Sequence, residues 1–238
     1  MPATKRSSED GKPRSAKARP RHNEIIAAAA QLFYEKGFDA TTTQDIGEAV
    51  GMLKGSLYYY IDSKEDVLLQ IVEELHGIFA SNIETVNKVE GSILDKVWVF
   101  VYRLVVANSV NYVGSAVFFN EFRSLTKPGR ARIIKVRDRH EQLLRSLLAD
   151  GQRSGEVCAQ LDAKMTATAI LTMCNSIYRW YRPGGEWSPE AIARSYADLV
   201  NAQVLCNPTV HKFHGRIDGA ALVEKLDALS LVPVLGAD

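Results

Sequence analysis

The stretch TTTQDIGEAVGMLKGSLYYYIDSKED, residues 41–66, decides the fold. Thr42 is followed three residues later by Asp45, which is the form of a capping box and predicts the start of a short helix. Gly51 ends this helix, because glycine adopts the left-handed conformation of a tight turn without strain. A second helix is predicted over residues 54–61, where two aliphatic residues four apart supply a buried side. Two short helices joined by a tight turn indicate a helix-turn-helix.

The two helices have distinct buried and exposed faces. Ile46, Ala49 and Val50 are predicted to face inward, and Ala49 is small enough for the helices to cross closely. On the second helix, amine and hydroxyl groups occupy the surface that the aliphatic pair leaves free, where they suit phosphates and base edges. Of its three tyrosines, Tyr58 is the one expected mainly to pack in the small core.

Three segments of the chain resemble the DNA-binding domain of TetR-type transcriptional repressors in order and spacing: TTTQDIGEAVG, KGSLYYYI and SKEDVL. The resemblance covers about residues 22–75. It implies an all-α fold with an N-terminal three-helix helix-turn-helix domain and a larger C-terminal helical domain for ligand binding and dimerisation. Leu53 departs from the family pattern, which often has a serine that caps the recognition helix there, and Ile61 replaces the usual phenylalanine.

The resemblance also implies which residues contact double-stranded operator DNA. The start of the recognition helix approaches bases, the tyrosine hydroxyls reach phosphates, and helix N-termini favour anions. The predicted DNA-binding residues are Thr42, Thr43, Lys54, Gly55, Ser56, Tyr58, Tyr59, Tyr60 and Lys64.

The composition divides the 238 residues into four parts. Residues 1–20 are expected to be a disordered basic arm, because residues 1–22 hold seven Lys and Arg against two acidic residues. The arm serves either as a minor-groove contact or as a solubilising tail. Residues 21–66 are assigned to the helix-turn-helix domain, 67–206 to the ligand-binding and dimerisation domain, and 207–238 to a tail with one short helix at 218–229.

Several classes of site and location are not indicated. The three cysteines are widely spaced, so no disulfide framework and no metal cluster is predicted, and a cytoplasmic protein is expected. The pair His211 and His214 has no further ligand nearby. The apolar run over residues 97–119 contains Arg103 and two asparagines, which favours a buried helix over a membrane span. No catalytic residue, metal or cofactor is assigned, because no nucleophile elbow or phosphate loop occurs.

The rest of the chain predicts five long helices, over residues 92–113, 115–125, 129–154, 162–181 and 188–206, separated by glycine and proline. By resemblance, the last two form a four-helix bundle with their copies in a homodimer. Their apolar sets fill either this interface or the monomer core. These residues are Met165, Ala169, Ile170, Met173 and Ile177, then Ile192, Tyr196, Leu199, Val200 and Val204.

The segment RWYRPGG, residues 179–185, is similar to a subgroup of TetR-type regulators that respond to acyl-CoA thioesters, including ketosteroid-catabolism regulators. This implies a small hydrophobic effector, an acyl-CoA in this interpretation, and a role in lipid metabolism. The predicted ligand-binding residues are Arg103, Asn108, Asn111, Tyr112, Phe118, Phe119, Glu121, Arg123, Met173, Asn175, Tyr178 and Arg179. An ion pair of Glu121 with Arg103 or Arg123 is the alternative for these charges.

The interpretation is that of a repressor released from its operator by the effector, with Arg153, Arg179, Arg182 and Arg194 available for the phosphates of coenzyme A. Two alternatives remain open for the control of DNA binding. One is a multidrug-type effector, and the other is a protein partner. An enzyme is not favoured.

Overall fold

The computed structural model describes residues 18–205. Within this range the chain is helical apart from turns and one isolated bridge between Val157 and Leu205. The helices are α1 (Ala18–Lys36), α2 (Thr43–Ala49), α3 (Lys54–Leu57), α4 (Lys64–Asn87), α5 (Ile93–Val110), α6 (Tyr112–Asn120), α7 (Lys127–Ser154), α8 (Ala163–Asn175) and α9 (Pro189–Val204). The all-α prediction is therefore confirmed. The prediction of a disordered arm over residues 1–20 is wrong for residues 18–20, which form the start of α1. The rest of the arm and the tail with its two histidines lie outside the described residues.

The head consists of α1, α2, α3 and the first turns of α4, packed around a small core. Ile25, Ile46, Leu57 and Ile61 are completely or almost completely buried in it. Gly51 has φ of 65°, as the turn between α2 and α3 requires. Helix α2 approaches the segment after it most closely at Gly47, where an added Cβ would lie 2.9 Å from the carbonyl oxygen of Met52.

Two expectations for the head are wrong. Ala49 is exposed and does not lie between helices, because α2 turns Gly47 toward the following segment. The recognition helix is shorter than residues 54–61, since α3 ends at Leu57 and the next residues form tight turns. In these turns Tyr59 and Tyr60 donate backbone hydrogen bonds three residues back, to Ser56 and Leu57.

Helix α4 connects the head to the body. Ser63 caps it by accepting a hydrogen bond from the backbone N–H of Asp66 at 3.0 Å. Its buried residues follow a helical stripe from Val67 at the head to Val86 in the body. A single helix thus contributes to the cores of both parts.

The long helix predicted over residues 92–113 ends earlier, at Val110. The Asn111 side chain donates to the carbonyl oxygen of Ala107 at 3.0 Å, and the backbone N–H of Asn111 donates to the same oxygen. This local competition for a carbonyl breaks the helix, so α6 begins at Tyr112 rather than at residue 115. Helix α6 then ends at Asn120, and a 3₁₀ turn at Phe122–Ser124 follows.

The last three helices complete the body. Helix α7 begins before the predicted Gly129, because Thr126 caps it and Pro128 occupies its first turn. Helix α8 ends at Asn175 rather than at residue 181. Just before this end, the carbonyl oxygens of Met173 and Cys174 accept side-chain hydrogen bonds. Helix α9 is capped by Ser188 and packs along α5.

No helix within residues 18–205 is both long enough and apolar enough to cross a bilayer. The apolar run at residues 97–119 is divided between α5 and α6. Residues 97–102, where apolar and less apolar residues alternate as in a strand, lie within α5.

Substitution of Gly151 tests the packing of the body. A Cβ added there would lie 2.4 Å from Cγ2 of Val157 and 3.0 Å from Cγ2 of Ile93. We expect Gly151→Ala to lower the free energy of unfolding by about 1 to 3 kcal/mol, because the packed neighbours have to move. Denaturant titration at fixed protein concentration measures this change.

The matched control is Gly77→Ala in α4, where nothing lies within 4 Å of an added Cβ. This substitution should raise the free energy of unfolding by about 0.5 to 1 kcal/mol, since alanine is the better helix former. Equal stability of the two variants would contradict the packing assigned to Gly151.

Candidate DNA-binding surface and effector cavity

The exposed face of the helix-turn-helix centres on α3. Lys54, Gly55 and Ser56 are all exposed, and the flanking Leu53 and Tyr59 are 82% and 80% exposed. Lys54 has no ion pair or hydrogen bond of its side chain within residues 18–205. Its ammonium group is therefore free for a phosphate or a base edge.

The start of α2 is fixed by the predicted capping box. Thr42 Oγ1 accepts from the backbone N–H of Asp45 at 3.1 Å, and the backbone N–H of Thr42 donates to Asp45 Oδ2 at 2.7 Å. Hydrogen bonds from Thr42 lower the pKa of Asp45 to about 2, so this carboxylate is charged at neutral pH. Thr43 Oγ1 lies 3.5 Å from the hydroxyl of Tyr58, which places both groups on the exposed face.

The start of α3 has no side-chain cap, because Leu53 has no oxygen to offer to its backbone amides. This agrees with the departure from the family pattern at Leu53. The tyrosine that packs is Tyr60, which is half-buried against the core, whereas Tyr58 is 48% exposed. The expectation that Tyr58 mainly packs is wrong, since α3 ends one residue before it.

Lys64 has a role within the head. Its ammonium donates to the carbonyl oxygens of Phe38 and Thr41 at 2.7 and 2.9 Å and lies 4.2 Å from the centroid of the Phe38 ring. These bonds hold the loop between α1 and α2. The predicted DNA contact of Lys64 stays a prediction, with one N–H left to make it.

A cavity of about 500 Å³ lies in the body between α4, α6, α7 and α8, and is called the body cavity below. This volume is typical of small-molecule sites. Its inner wall is apolar and aromatic. The residues of this wall are Phe79, Leu104, Phe118, Phe119, Leu171 and Tyr178.

The mouth of the body cavity carries charge of both signs. Arg137 and Asp138 of α7 line it and are exposed, with Ile134 47% exposed beside them, and the exposed Arg179 lines it after α8. Glu141 also lines it. These four charged groups form no ion pair within residues 18–205. Arg137 instead lies over the Phe122 ring, 5.5 Å from its centroid.

Arg179 is oriented by its neighbours. Its Nε donates to the hydroxyl of Tyr178 at 3.2 Å, and that hydroxyl donates to Asn120 Oδ1 at 3.3 Å. The hydrogen bond that Arg179 donates to Tyr178 raises the already high pKa of the guanidinium further, so this group is charged. The exposed cation is thus held beside the cavity wall.

The structure brings together five of the predicted ligand residues in the body cavity. They are Phe118, Phe119, Asn175, Tyr178 and Arg179. The predicted phosphate ligands Arg153, Arg182 and Arg194 are exposed, but none of them lines this cavity.

The other predicted ligand residues lie elsewhere. Asn108 is buried behind the wall, where it donates to Cys174 O and Asn175 Oδ1 and accepts from Ser115 Oγ at 3.1 Å. Arg103 is half-buried, Arg123 is exposed and Met173 packs on the core.

Asn111 and Tyr112 line a second cavity of about 460 Å³ between α1, α4 and the α5–α6 junction. Glu121 lines neither of these two cavities. Its carboxylate accepts hydrogen bonds from the Phe38 backbone and from Ser124, so the alternative ion pair with Arg103 or Arg123 is wrong.

Sequence reasoning missed the contribution of α7 to the body cavity. Ile134, Arg137, Asp138 and Glu141 follow a spacing of three and four residues, which places them on one helix face, and this spacing was the available signal. His140 is buried beside them and its Nε2 lies 2.7 Å from the carbonyl oxygen of Phe79, to which it donates. Burial lowers the pKa of His140, so the imidazole is neutral at neutral pH.

The outer faces of α8 and α9 expose apolar side chains. Met165 is 69% exposed, and Ala169 and Leu199 are also exposed. Other members of the predicted interface sets fill the monomer core instead. These are Ile170, Ile177, Ile192, Val200 and Val204.

Two family models match the chain. Residues 25–71 match bacterial regulatory proteins of the tetR family, and residues 90–204 match the tetracyclin repressor-like C-terminal domain. Among solved structures, that of PfmR, a TetR family transcriptional regulator from Thermus thermophilus, has a sequence 32% identical to this chain. The match covers 75% of this chain and 97% of PfmR, with a TM-score of 0.69.

The chain belongs to the TetR family of transcriptional regulators.

One further relative and one further solved structure are similar to this chain. The transcriptional repressor KstR2 of Rhodococcus jostii is 28% identical over 189 residues, which are 76% of this chain and 89% of KstR2. The structure of AibR, in complex with isovaleryl coenzyme A and operator DNA, has a TM-score of 0.67 at 22% identity and covers 78% of this chain and 98% of AibR. The match to KstR2 agrees with the subgroup that the RWYRPGG segment resembles.

Lys54 is the residue on which we test the DNA-binding surface. Lys54→Ala should weaken operator binding by about 1 to 3 kcal/mol, because an exposed cation that contacts a base or a phosphate is lost. Fluorescence anisotropy with an operator duplex, selected from random DNA by the unsubstituted protein, measures the affinity.

Two lysines serve as comparisons for this measurement. Lys88→Ala removes an exposed lysine at the far end of α4 and should leave operator affinity unchanged. Lys64→Ala should instead lower thermal stability, since two carbonyl oxygens of the head lose their donor. Operator binding that is unaffected by Lys54→Ala would remove this residue from the DNA-binding surface.

Proposed function

We propose that this TetR-family protein represses transcription as a homodimer and leaves its operator when an acyl-CoA thioester enters the body cavity. The observation that carries the effector class is the pairing of an apolar aromatic wall with arginines at the mouth. The acyl group would lie against the wall that includes Phe118 and Phe119. Arg137 and Arg179 would meet the phosphates of coenzyme A.

The size and polarity of the cavity support this proposal. About 500 Å³ is room for an acyl group, while a coenzyme A moiety would have to extend outward. The neutral His140 keeps the inner part free of charge. The thioester would lie near the polar side chains of Asn175 and Ser176, which line the same cavity.

The relatives add support for the effector class. AibR binds isovaleryl coenzyme A together with operator DNA. KstR2, the repressor to which this chain is similar, shares most of its length with the chain. A common fold alone does not fix a ligand, and the proposal therefore rests on the arginines at the mouth.

The homodimer is supported by the exposed apolar faces of α8 and α9. A single head reads one half-site, and a two-fold dimer reads two half-sites spaced by helical turns of DNA. Effector binding would favour a conformation whose heads are wrongly spaced for these half-sites. Differential affinity of a few kcal/mol between the two conformations is enough to empty the operator.

The dimer interface is tested by placing a charge on it. Leu199→Arg should turn the dimer into a monomer in sedimentation at micromolar concentration, because two-fold symmetry places the buried charge in the interface twice. The control is Val110→Arg, at an exposed apolar residue at the end of α5. A monomer already present without substitution would contradict the proposed homodimer.

The effector class is tested by operator binding in the presence of palmitoyl-CoA, isovaleryl-CoA, free coenzyme A and palmitate. We expect an acyl-CoA to release the duplex, while free coenzyme A and palmitate do not, because each of them fills one part of the site. Arg137→Ala and Arg179→Ala should weaken acyl-CoA binding by about 1 to 2 kcal/mol each. Arg145→Ala, an exposed arginine of α7 away from the cavity, is the matched control.

The carboxylates of Asp138 and Glu141 favour a second candidate, a lipophilic cation of the kind that multidrug-responsive regulators bind. Titration with a cationic dye such as rhodamine 6G distinguishes the two. Release of DNA by the dye and not by the acyl-CoA thioesters would replace the acyl-CoA proposal with this one.

A further inference from the structure

Glu121 connects the body to the head. It follows the last residue of α6, and its Oε1 accepts a hydrogen bond from the backbone N–H of Phe38 at 3.2 Å. Phe38 is buried, and within residues 18–205 its N–H has no other acceptor. The carboxylate thus satisfies a buried donor of the head, which would be costly to leave unpaired.

The loop that receives this hydrogen bond is held from two sides. Residues 37–41 lie in the segment that joins α1 to α2, the first helix of the helix-turn-helix. Lys64 of α4 donates to the carbonyl oxygens of Phe38 and Thr41, while Glu121 accepts from the N–H of Phe38. The position of α2 therefore depends on both α4 and the end of α6.

The residues directly before Glu121 belong to the wall of the body cavity. Phe118 and Phe119 line it, and the Phe119 ring stacks on that of Tyr178 with centroids 5.2 Å apart. Asn120 accepts a hydrogen bond from the hydroxyl of Tyr178. A molecule in the cavity thus touches the same helical turn that ends at Glu121.

The other end of α6 also contacts the head. The Tyr112 ring packs edge-on against Tyr34 of α1, with centroids 5.9 Å apart. Helix α6 has nine residues, short enough to shift as one rigid piece. One face of it lines the body cavity, and both of its ends touch the head.

We propose that Glu121 is the positioning residue through which displacement of α6 by a molecule in the body cavity reaches the helix-turn-helix. This inference rests on the proposed function of the cavity as the effector site. It assigns Glu121 to signal transfer rather than to ligand binding. Its hydrogen bond carries the displacement to Phe38, and the loop of residues 37–41 carries it to α2.

Amide hydrogen exchange tests the contact without any effector. Glu121→Ala should speed exchange of the Phe38 amide by roughly tenfold, because its acceptor is lost. Glu121→Gln keeps an oxygen at the same position and should exchange nearly as slowly as the unsubstituted protein. Glu84→Ala, at an exposed glutamate of α4, controls for the loss of a charge.

A double-mutant cycle tests signal transfer independently of the effector class. Leu171→Trp adds bulk to the wall of the body cavity and should change operator affinity severalfold. In the Glu121→Ala background this change should disappear, and in the Glu121→Gln background it should persist. A Leu171→Trp effect that is equal with Ala and Glu at position 121, or absent from both, overturns the proposal.

Palmitoyl-CoA provides the third measurement. Glu121→Ala should bind it within about twofold of the unsubstituted affinity, while the ratio of operator dissociation constants with and without palmitoyl-CoA should fall roughly tenfold. Loss of palmitoyl-CoA binding in Glu121→Ala would make this residue a ligand contact and overturn the proposal. If the unsubstituted protein does not bind palmitoyl-CoA, the proposed effector class fails, and the double-mutant cycle still decides the role of Glu121.

Discussion

The structure depends on the burial of one apolar stripe along α4. A three-helix head of this size buries little apolar surface by itself, so the residues that α4 adds are a substantial part of its core. Val67 and Leu68 at the start of α4 complete its core, and Phe79 and Val86 further along the same helix lie in the core of the body. The buried apolar residues from α1 to α9 form one continuous cluster. Head and body therefore share a core, and a change in one part is felt by the other.

The overall charge of the chain is only +1. The protein nevertheless combines two binding sites, because head and body share one core. The head keeps its cations and hydroxyls at an exposed face around α3, where Lys54 has no competing partner in the described chain. The body keeps an apolar cavity whose mouth holds Arg137 and Arg179. Each site is built by a different group of helices, while α4 and α6 contact both groups. Packing along α4 and α6 therefore joins the two sites.

Local patterns predicted the head well because its signals lie close together in the chain. The capping box of α2 and the turn at Gly51 depend only on residues within a few positions of one another, and both occur as expected. The predictions that failed needed knowledge of competing partners. Helix α8 ends early where side chains bind the carbonyl oxygens of Met173 and Cys174, and α5 ends where the Asn111 side chain shares the Ala107 carbonyl oxygen with the Asn111 backbone N–H. The packing of Tyr60 instead of Tyr58 follows from the early end of α3.

The sequence by itself determined the all-α class, the helix-turn-helix and membership of a family of DNA-binding regulators, because these are written in local periodicity, caps and turns. Only the tertiary structure decided which residues form the body cavity. Arg137 enters it from α7, more than forty residues away from Tyr178 and Arg179, and no local pattern connects them. Only the tertiary structure placed Glu121 against the head. Its partner is the backbone N–H of Phe38, a group that every residue except proline possesses and that no sequence pattern can mark.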